Sequence, residues 1–155
     1  MRLWRLTRAA HQRLDGEGAR LNGGRWNSEG NAVVYLSSPL SLAVLELLVH
    51  VDLEDAPPDL VALAVDLPDD ALIQSVDSSD LPGDWRDVPD HPACVGRGDA
   101  WVAAGDTLLL RVPSAVIPVE MNYLLNPRHA DAATAAVSSA SPFEFDPRLA
   151  ARLAG

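Results

Sequence analysis

Proline and glycine limit the length of every regular element that this chain can form. The 155 residues include 12 prolines and 10 glycines, which punctuate most of the sequence. Proline removes a backbone hydrogen-bond donor and glycine weakens helix and strand interiors, so long helices are not expected to dominate. With 48% apolar residues and no internal repeat or linker, we expect one domain over residues 1–155, in which folding buries roughly two-thirds of the unfolded surface.

Short strands outnumber helices in the pattern. Apolar and alternating runs predict strands at residues 2–6, 32–36, 60–67, 107–112, 115–119, 122–125 and 143–145. The near-continuous apolar run at 60–67 indicates a central strand. Helical segments are predicted at residues 7–14, 39–50, 91–104 and 130–140. An α+β domain with an antiparallel or split β core and two or three flanking helices follows.

Local signals refine several of these elements. Ser38 and Pro39 can begin the second helix, and Pro92 and Gly105 bound the third. Residues 16–24 are predicted to be flexible. Residues 75–92 are predicted to form an irregular acidic loop, with Trp85 as a possible anchor.

Charge is distributed unevenly along the chain, which has no lysine and a net charge of -10. Residues 1–51 carry a net +2, residues 52–90 a net -11, and residues 91–155 a net -1. An anionic ligand is therefore expected in the first third, and the acidic middle can simply be a solvated surface. Direct binding of nucleic acid is not expected, because it requires clustered positive charge.

Missing motifs exclude several familiar classes. Cys94 is the single cysteine, so no internal disulfide can form, and no apolar run has the length of a signal peptide core or a membrane span. We therefore expect a cytoplasmic protein with no membrane segment. The four histidines are dispersed, which argues against a metal site. The motifs of dinucleotide-binding dehydrogenases, P-loop kinases, α/β-hydrolases and zinc proteases are absent.

A few residues suggest chemistry, although each also has a structural explanation. Glu46 lies on a predicted helix that is apolar on nearly every side, so its carboxylate needs partners, and His50 could be one. The two could equally form the helix's solvent-facing stripe. In the segment GGRWN, Arg25 and Trp26 suit a phosphate or carboxylate ligand, but could also pair with an acid and fill the core. Tyr35 and Ser114 could likewise be a core residue and a turn residue.

Four separated motifs, which follow one another in the order found in the RES-domain family, resemble that family over nearly the whole chain. They read LWRL, GGRWN, VVYLSSPLSLAVLELLVHV and VPSAVIPVEMNYLLNPRH. Members of this family are toxins of bacterial toxin–antitoxin pairs whose antitoxin is an Xre-type helix-turn-helix protein. The resemblance implies an ADP-ribosyltransferase-like split β core with flanking helices and a cleft that binds NAD+. It also implies that NAD+ is destroyed at the nicotinamide–ribose bond, or that ADP-ribose is transferred to a protein.

The resemblance also implies roles for individual residues. The catalytic set is Glu46, Arg25 and Ser114, and the NAD+-binding set is Arg5, Arg25, Trp26, Tyr35 and Asn126. Glu46 would stabilise the oxocarbenium-like centre left by nicotinamide, and Ser114 would orient Glu46 or a ribose hydroxyl. Tyr35 would stack on nicotinamide, and the two arginines would hold the pyrophosphate or its attached ribose.

The expected function is therefore a toxin that hydrolyses or phosphorolyses NAD+ and is neutralised by an Xre-type antitoxin. NAD+ is the substrate, no cofactor is recycled, and no metal is required. Two alternatives are an ADP-ribosyltransferase acting on a host protein and a catalytically silent module that binds a nucleotide or an antitoxin tail.

Overall fold

The computed structural model describes residues 1–149 and is built on a seven-stranded mixed sheet. The strands are β1 (Arg2–Arg8), β2 (Val34–Ser37), β3 (Leu60–Asp66), β4 (Ile73–Ser75), β5 (Leu109–Pro113), β6 (Met121–Leu125) and β7 (Ala136–Pro142). Their order is β4-β5-β6-β2-β1-β3-β7. Among the strand pairs of residues 1–149, only β4–β5 is parallel. Three α-helices lie wholly within the described residues: α1 (Glu17–Asn22), α2 (Leu40–Leu48) and α3 (Pro92–Ala104). Residues 147–149 are also helical.

The predicted α+β class is confirmed, and the longest helix of the described residues has the predicted ends. In α3, the side chain of His91 caps the first turn by accepting a hydrogen bond from the backbone N–H of Ala93 at 3.2 Å. Pro92 occupies the first turn, and Gly105 ends the helix in the left-handed region at φ 65°. In α2, by contrast, Pro39 is the cap residue, and no side chain among the described residues caps the helix.

The alanine-rich segment 130–140 is not the predicted helix. Apart from a short 3-10 turn at Ala132–Thr134, its second half belongs to strand β7, which pairs with β3. Alanine has the highest helix propensity, but propensity is a weak preference, so the backbone hydrogen bonds available along the edge of β3 decide the conformation. The apolar sequence of β3 predicted a central strand. Because β7 is the only strand beyond it among the described residues, β3 instead lies next to the end of the sheet.

Four other local predictions are wrong. Strand β1 continues through Arg8, which leaves only a 3-10 turn at Ala9–His11 in place of a helix. The segment predicted to be flexible contains α1. Residues 115–119 form turns, because Pro118 interrupts them and the Ser114 hydroxyl accepts hydrogen bonds from the following backbone. Residues 143–145 lie outside the strands, and the rings of Phe143 and Phe145 contact each other edge to face at 5.2 Å.

Hydrophobic side chains fill both faces of the sheet. One cluster of buried residues is aliphatic and includes Leu3, Leu63 and Leu109. The other contains Trp26, Trp85 and Trp101. Trp85 is 5% exposed, which confirms it as the anchor of the acidic loop. Within residues 1–149, no helix has both the length and the apolar character needed to cross a membrane.

Candidate active site

A cavity of about 680 Å³ opens beside the point where β1 and β2 separate. These strands pair only at Trp4 and Ser37, whereas β1 pairs along its whole length with β3, and β2 with β6. The separation leaves the facing edges of β1 and β2 free, and both strands line the cavity. Its charged and aromatic lining comprises Trp4, Arg5, Arg25, Trp26, Tyr35, Glu46, His50 and Asp90.

Glu46 extends from α2 towards β5 and β6, and one of its oxygens is held by two donors. Its Oε1 accepts a hydrogen bond from Ser114 Oγ at 2.6 Å. The same oxygen accepts a second from Asn122 Nδ2 at 2.5 Å. Oε2 has no hydrogen-bond partner among residues 1–149, so it is available to a ligand. The predicted partner His50 also lines the cavity, but these two side chains take its place.

The helix that carries Glu46 is less buried than its sequence indicates. Leu42 and Ala43 are its buried residues, while Leu45 is 38% exposed and Val49, just after it, is 57% exposed. The requirement for partners is nevertheless met, because the carboxylate reaches two side chains that are distant in sequence.

Ser114 uses its whole hydrogen-bonding capacity, and its one donor is directed at Glu46. The side chain is fully buried. Its oxygen accepts the backbone N–H groups of Val116 at 3.1 Å and Ile117 at 3.0 Å. A hydroxyl has one proton to donate and two lone pairs, so its single proton is directed at Glu46. The geometry therefore suits the orienting role predicted for Ser114.

Asn122 is a site residue that the sequence reasoning missed. Its Nδ2 donates to Glu46, and its Oδ1 accepts a hydrogen bond from Ser37 Oγ at 2.7 Å. Ser37 and Asn122 are directly opposite on β2 and β6. The only sequence signal is an asparagine within the apolar strand MNYLL, and its importance depends on a strand register that the sequence does not reveal.

Arg25 projects from the loop between α1 and β2 and joins it to the acidic loop. Its Nη1 donates to the carbonyls of Trp85 at 2.9 Å and Val88 at 3.0 Å. Its guanidinium carbon lies 5.8 Å from the centre of the Trp85 ring, which is within cation–π range. No carboxylate forms an ion pair with Arg25 in the described part of the chain, so its charge can still act on an anion.

Arg5 is the second cation of the cavity. Its Nη1 donates to the carbonyl of Arg13 at 2.9 Å. Burial lowers the pKa of Arg5, and the charge of Asp15 opposes that effect. Within residues 1–149 Arg5 also lacks an ion pair. Two guanidinium groups thus border one cavity, and each has N–H donors that the described residues do not use. This arrangement favours a ligand with anionic oxygens.

The Tyr35 hydroxyl supports the Arg25 loop, in addition to the stacking predicted for its ring. It accepts a hydrogen bond from the backbone N–H of Trp26 at 3.1 Å and donates one to Asn27 Oδ1 at 2.7 Å. Burial is the main reason that the pKa of Tyr35 is raised. The Trp26 indole is itself 2% exposed and lies 6.3 Å from the Trp85 ring, so most of it belongs to the core.

The structure brings most of the predicted site residues together. Those at the cavity are Arg5, Arg25, Trp26, Tyr35 and Glu46, and Ser114 contacts Glu46. Asn126 is not among the lining residues, is 2% exposed, and caps a turn by accepting the backbone N–H of Arg128 at 3.0 Å. The functional roles of all these residues remain predictions.

Sequence comparisons give consistent matches. The family model described as RES domain matches residues 2–146. "Toxin Res" of Yersinia enterocolitica is 40% identical over 136 residues, which cover 86% of this chain and 88% of that protein. "Prs ADP-ribosylating toxin" of Sphingobium sp. is 35% identical over 138 residues, covering 88% of this chain and 86% of the relative. "Toxin Res" of Pseudomonas putida is 36% identical over 154 residues, covering 96% and 99%.

A solved structure shares the fold. The crystal structure of the M. tuberculosis MbcT-MbcA toxin-antitoxin complex contains a chain that superposes with a TM-score of 0.77 and 20% sequence identity. The match covers 98% of this chain and 87% of the other. At that identity, the likeness demonstrates a common architecture.

Proposed function

The chain belongs to the RES-domain family, and on this premise we propose that it is a toxin that cleaves the nicotinamide–ribosyl bond of NAD+. One observation carries the proposal: within residues 1–149, the cavity combines a carboxylate that has one anchored and one free oxygen with two guanidinium groups that lack ion pairs. This combination suits a substrate with a cationic leaving group at one end and a pyrophosphate beside it.

The spacing along β2 supports this arrangement of the substrate. Ser37 hydrogen-bonds to the Asn122 that holds Glu46, whereas Tyr35 bonds to the loop that carries Arg25. Two residues of a strand span about 7 Å. A dinucleotide lying along β2 can thus place its ribose at Glu46 and its pyrophosphate near Arg25, with Arg5 contributing from β1.

In the proposed reaction, the bond between ribose C1′ and the nicotinamide nitrogen breaks, and its electron pair leaves with neutral nicotinamide. Glu46 stabilises the positive charge that develops on the ribose, as fixed charges do in water-poor clefts. Water then adds to C1′ and releases a proton, which yields ADP-ribose. With phosphate as the acceptor, the product is the 1″-phosphate of ADP-ribose.

Transfer of ADP-ribose to a protein is the second candidate. It is favoured by the name of the Sphingobium relative, an ADP-ribosylating toxin that is 35% identical over most of this chain. The bond that breaks is the same, and only the acceptor differs: a nucleophilic side chain attacks C1′ and loses a proton. Glu46 has the same role in both reactions.

A protein antitoxin is the proposed restraint, since an enzyme that consumes NAD+ harms its own cell. The proposal extends to an Xre-type helix-turn-helix antitoxin that covers the cavity. An inhibitory segment with a carboxylate suits Arg5 and Arg25, because guanidinium forks bind carboxylates as they bind phosphates. With a net charge of -10 and no lysine, this chain should not bind promoter DNA alone, so DNA binding would come from the antitoxin.

Incubation of the purified protein with NAD+ tests these alternatives. Release of free nicotinamide with soluble ADP-ribose or its phosphate supports cleavage, whereas labelled ADP-ribose on a protein band supports transfer. Binding without any turnover would leave only the silent-module alternative. Adding the antitoxin should stop turnover, and a complex that works as fast as the free toxin would contradict occlusion.

A further inference from the structure

A carboxylate outside the cavity holds the loop that carries Arg25. Asp99, in the middle of α3, accepts hydrogen bonds from the backbone N–H of Ser28 at 2.9 Å and from Ser28 Oγ at 2.5 Å. It accepts a third from Asn31 Nδ2 at 2.7 Å. Burial raises the pKa of Asp99, but the bonds from Ser28 and Asn31 outweigh this effect, and the pKa lies below its usual value. The carboxylate is therefore ionised at neutral pH, which strengthens all three bonds.

The residue before Asp99 allows α3 to approach the loop closely. A Cβ atom at Gly98 would lie 1.7 Å from the carbonyl oxygen of Trp26. Only glycine fits at this contact. Asp99 and Gly98 together thus place α3 directly against the segment that contains Arg25 and Trp26.

Within the loop, one further side chain passes this constraint on. Asn27 is 2% exposed, and its Nδ2 shares its two protons among the carbonyls of Ala19, Ser28 and Asn31 at 2.9–3.1 Å. Its Oδ1 accepts the Tyr35 hydroxyl. The loop is consequently connected to both α3 and β2 through residues that directly follow Arg25.

From Arg25 the connection continues to the outer wall of the cavity. Its guanidinium binds the carbonyls of Trp85 and Val88, and Pro89 and Asp90, which follow directly, line the cavity. The wall ends at His91, which caps α3. The helix that contains Asp99 therefore fixes the Arg25 loop from its middle and the wall from its first residue.

We infer that Asp99 is a positioning residue: it holds the Arg25 loop so that the guanidinium faces the pyrophosphate of the dinucleotide. This inference rests on the proposed function. Asp99 is separate from the group that positions the reacting carboxylate, because Glu46 is held by Ser114 and Asn122. Loss of Asp99 should weaken substrate binding and spare the chemical step.

Steady-state kinetics with NAD+ test the inference. Asp99→Ala should raise KM about tenfold, on the scale of losing a charged hydrogen bond, and leave kcat within about threefold. Asp99→Asn should restore KM to within about threefold of wild type. The Oδ1 of the new asparagine can accept both N–H donors, from Ser28 and Asn31. Its Nδ2 can donate to Ser28 Oγ, because a hydroxyl oxygen also accepts hydrogen bonds. Asp106→Ala is the matched control, since Asp106 is exposed, and should leave both constants unchanged.

A double-mutant cycle separates positioning from general loosening. Arg25→Ala should raise KM, and adding Asp99→Ala to it should change KM by less than about twofold, because the group being positioned is gone. If the two substitutions multiply each other's effect on KM, the inference is overturned. A fall in kcat at constant KM for Asp99→Ala would also overturn it. If Asp99→Ala does not fold, Ser28→Ala removes a single bond from an exposed residue and should raise KM about threefold; an unchanged KM would again overturn it.

Titration with ADP-ribose keeps this result distinct from the proposed function. ADP-ribose carries the pyrophosphate but lacks the nicotinamide–ribosyl bond that the reaction breaks. Asp99→Ala should raise the Kd of ADP-ribose about tenfold. If the wild-type protein binds ADP-ribose but does not turn over NAD+, the proposed function fails and the Kd comparison decides the role of Asp99. Equal Kd values for wild type and variant would overturn the inference, even in a protein that cleaves NAD+ rapidly.

Discussion

Replacing Glu46 by glutamine removes one charge from the cavity while keeping its hydrogen bonds. Both donors, from Ser114 and Asn122, point at Oε1. The amide oxygen of glutamine accepts the same two bonds, and its new NH₂ group takes the place of Oε2, which has no partner within residues 1–149. The substitution should therefore preserve the fold and alter only the electrostatics seen by the substrate.

Coulomb's law sets the size of the effect. At ~4 Å and an effective dielectric constant of ~20, two opposite unit charges attract by about 4 kcal/mol. Each 1.4 kcal/mol changes a rate about tenfold, so a fully developed charge corresponds to roughly a thousandfold. Because the transition state carries only part of that charge, we expect kcat to fall by about two to three orders of magnitude.

The assay follows nicotinamide release from NAD+ by purified proteins and compares their urea unfolding curves. Glu54→Gln is the matched control, because Glu54 is exposed and the substitution makes the same charge change. Ser114→Ala provides a contrast: it leaves the N–H groups of Val116 and Ile117 without their acceptor and should lower stability by about 2–4 kcal/mol. Glu46→Gln should thus lose activity at wild-type stability, whereas Ser114→Ala should lose both.

A Glu46→Gln variant that retained more than a tenth of the wild-type kcat would refute the electrostatic role. Wild-type growth inhibition by that variant, expressed at an equal level, would lead to the same conclusion. Glu54→Gln must remain fully active for either comparison to count.

Three further predictions concern stability. Gly98→Ala should lower the free energy of unfolding by about 3 kcal/mol or prevent folding, because the added Cβ meets a backbone carbonyl. Gly96→Ala, whose Cβ would have nothing within 4 Å, should instead stabilise the helix by about 0.5–1 kcal/mol. Urea titrations compare the two variants, and equal effects would contradict the packing argument. Tyr35→Phe should destabilise by about 1–3 kcal/mol, since a backbone N–H and an asparagine carbonyl lose their partner, and an unchanged unfolding midpoint would show that water replaces the hydroxyl. The hydrogen bond from Arg2 lowers the pKa of Asp66 to about 2, so the stability that Asp66 contributes is present above about pH 4 and is lost as the pH falls towards 2. Unfolding of wild type and Asp66→Asn from pH 7 to 2.5 should show a constant difference down to about pH 4 that then narrows, and a difference that narrowed above pH 5 would contradict the assignment.

Much of the local architecture could be predicted from the sequence. Proline and glycine limited the elements to short lengths, and Pro92 and Gly105 marked both ends of α3. The apolar run in β3 identified a strand with both faces covered. Glu46 was recognised as a lone charge on an apolar helix. Each of these inferences depends on residues a few positions apart, where backbone preference and periodicity act directly.

The assembled site depended on tertiary structure. Glu46 meets Ser114 and Asn122, which are 68 and 76 residues away, and Asp99 meets Ser28 across 71 residues. The alanine-rich tail became β7 because the edge of β3 offered it a ladder of hydrogen bonds. Such contacts are set by strand register and helix docking, and a shift of one residue would turn Asn122 to the opposite face of the sheet. Local sequence determined which segments could be strands or helices, whereas the packing of distant segments decided which polar side chains became partners, because long-range register is a property of the whole sheet.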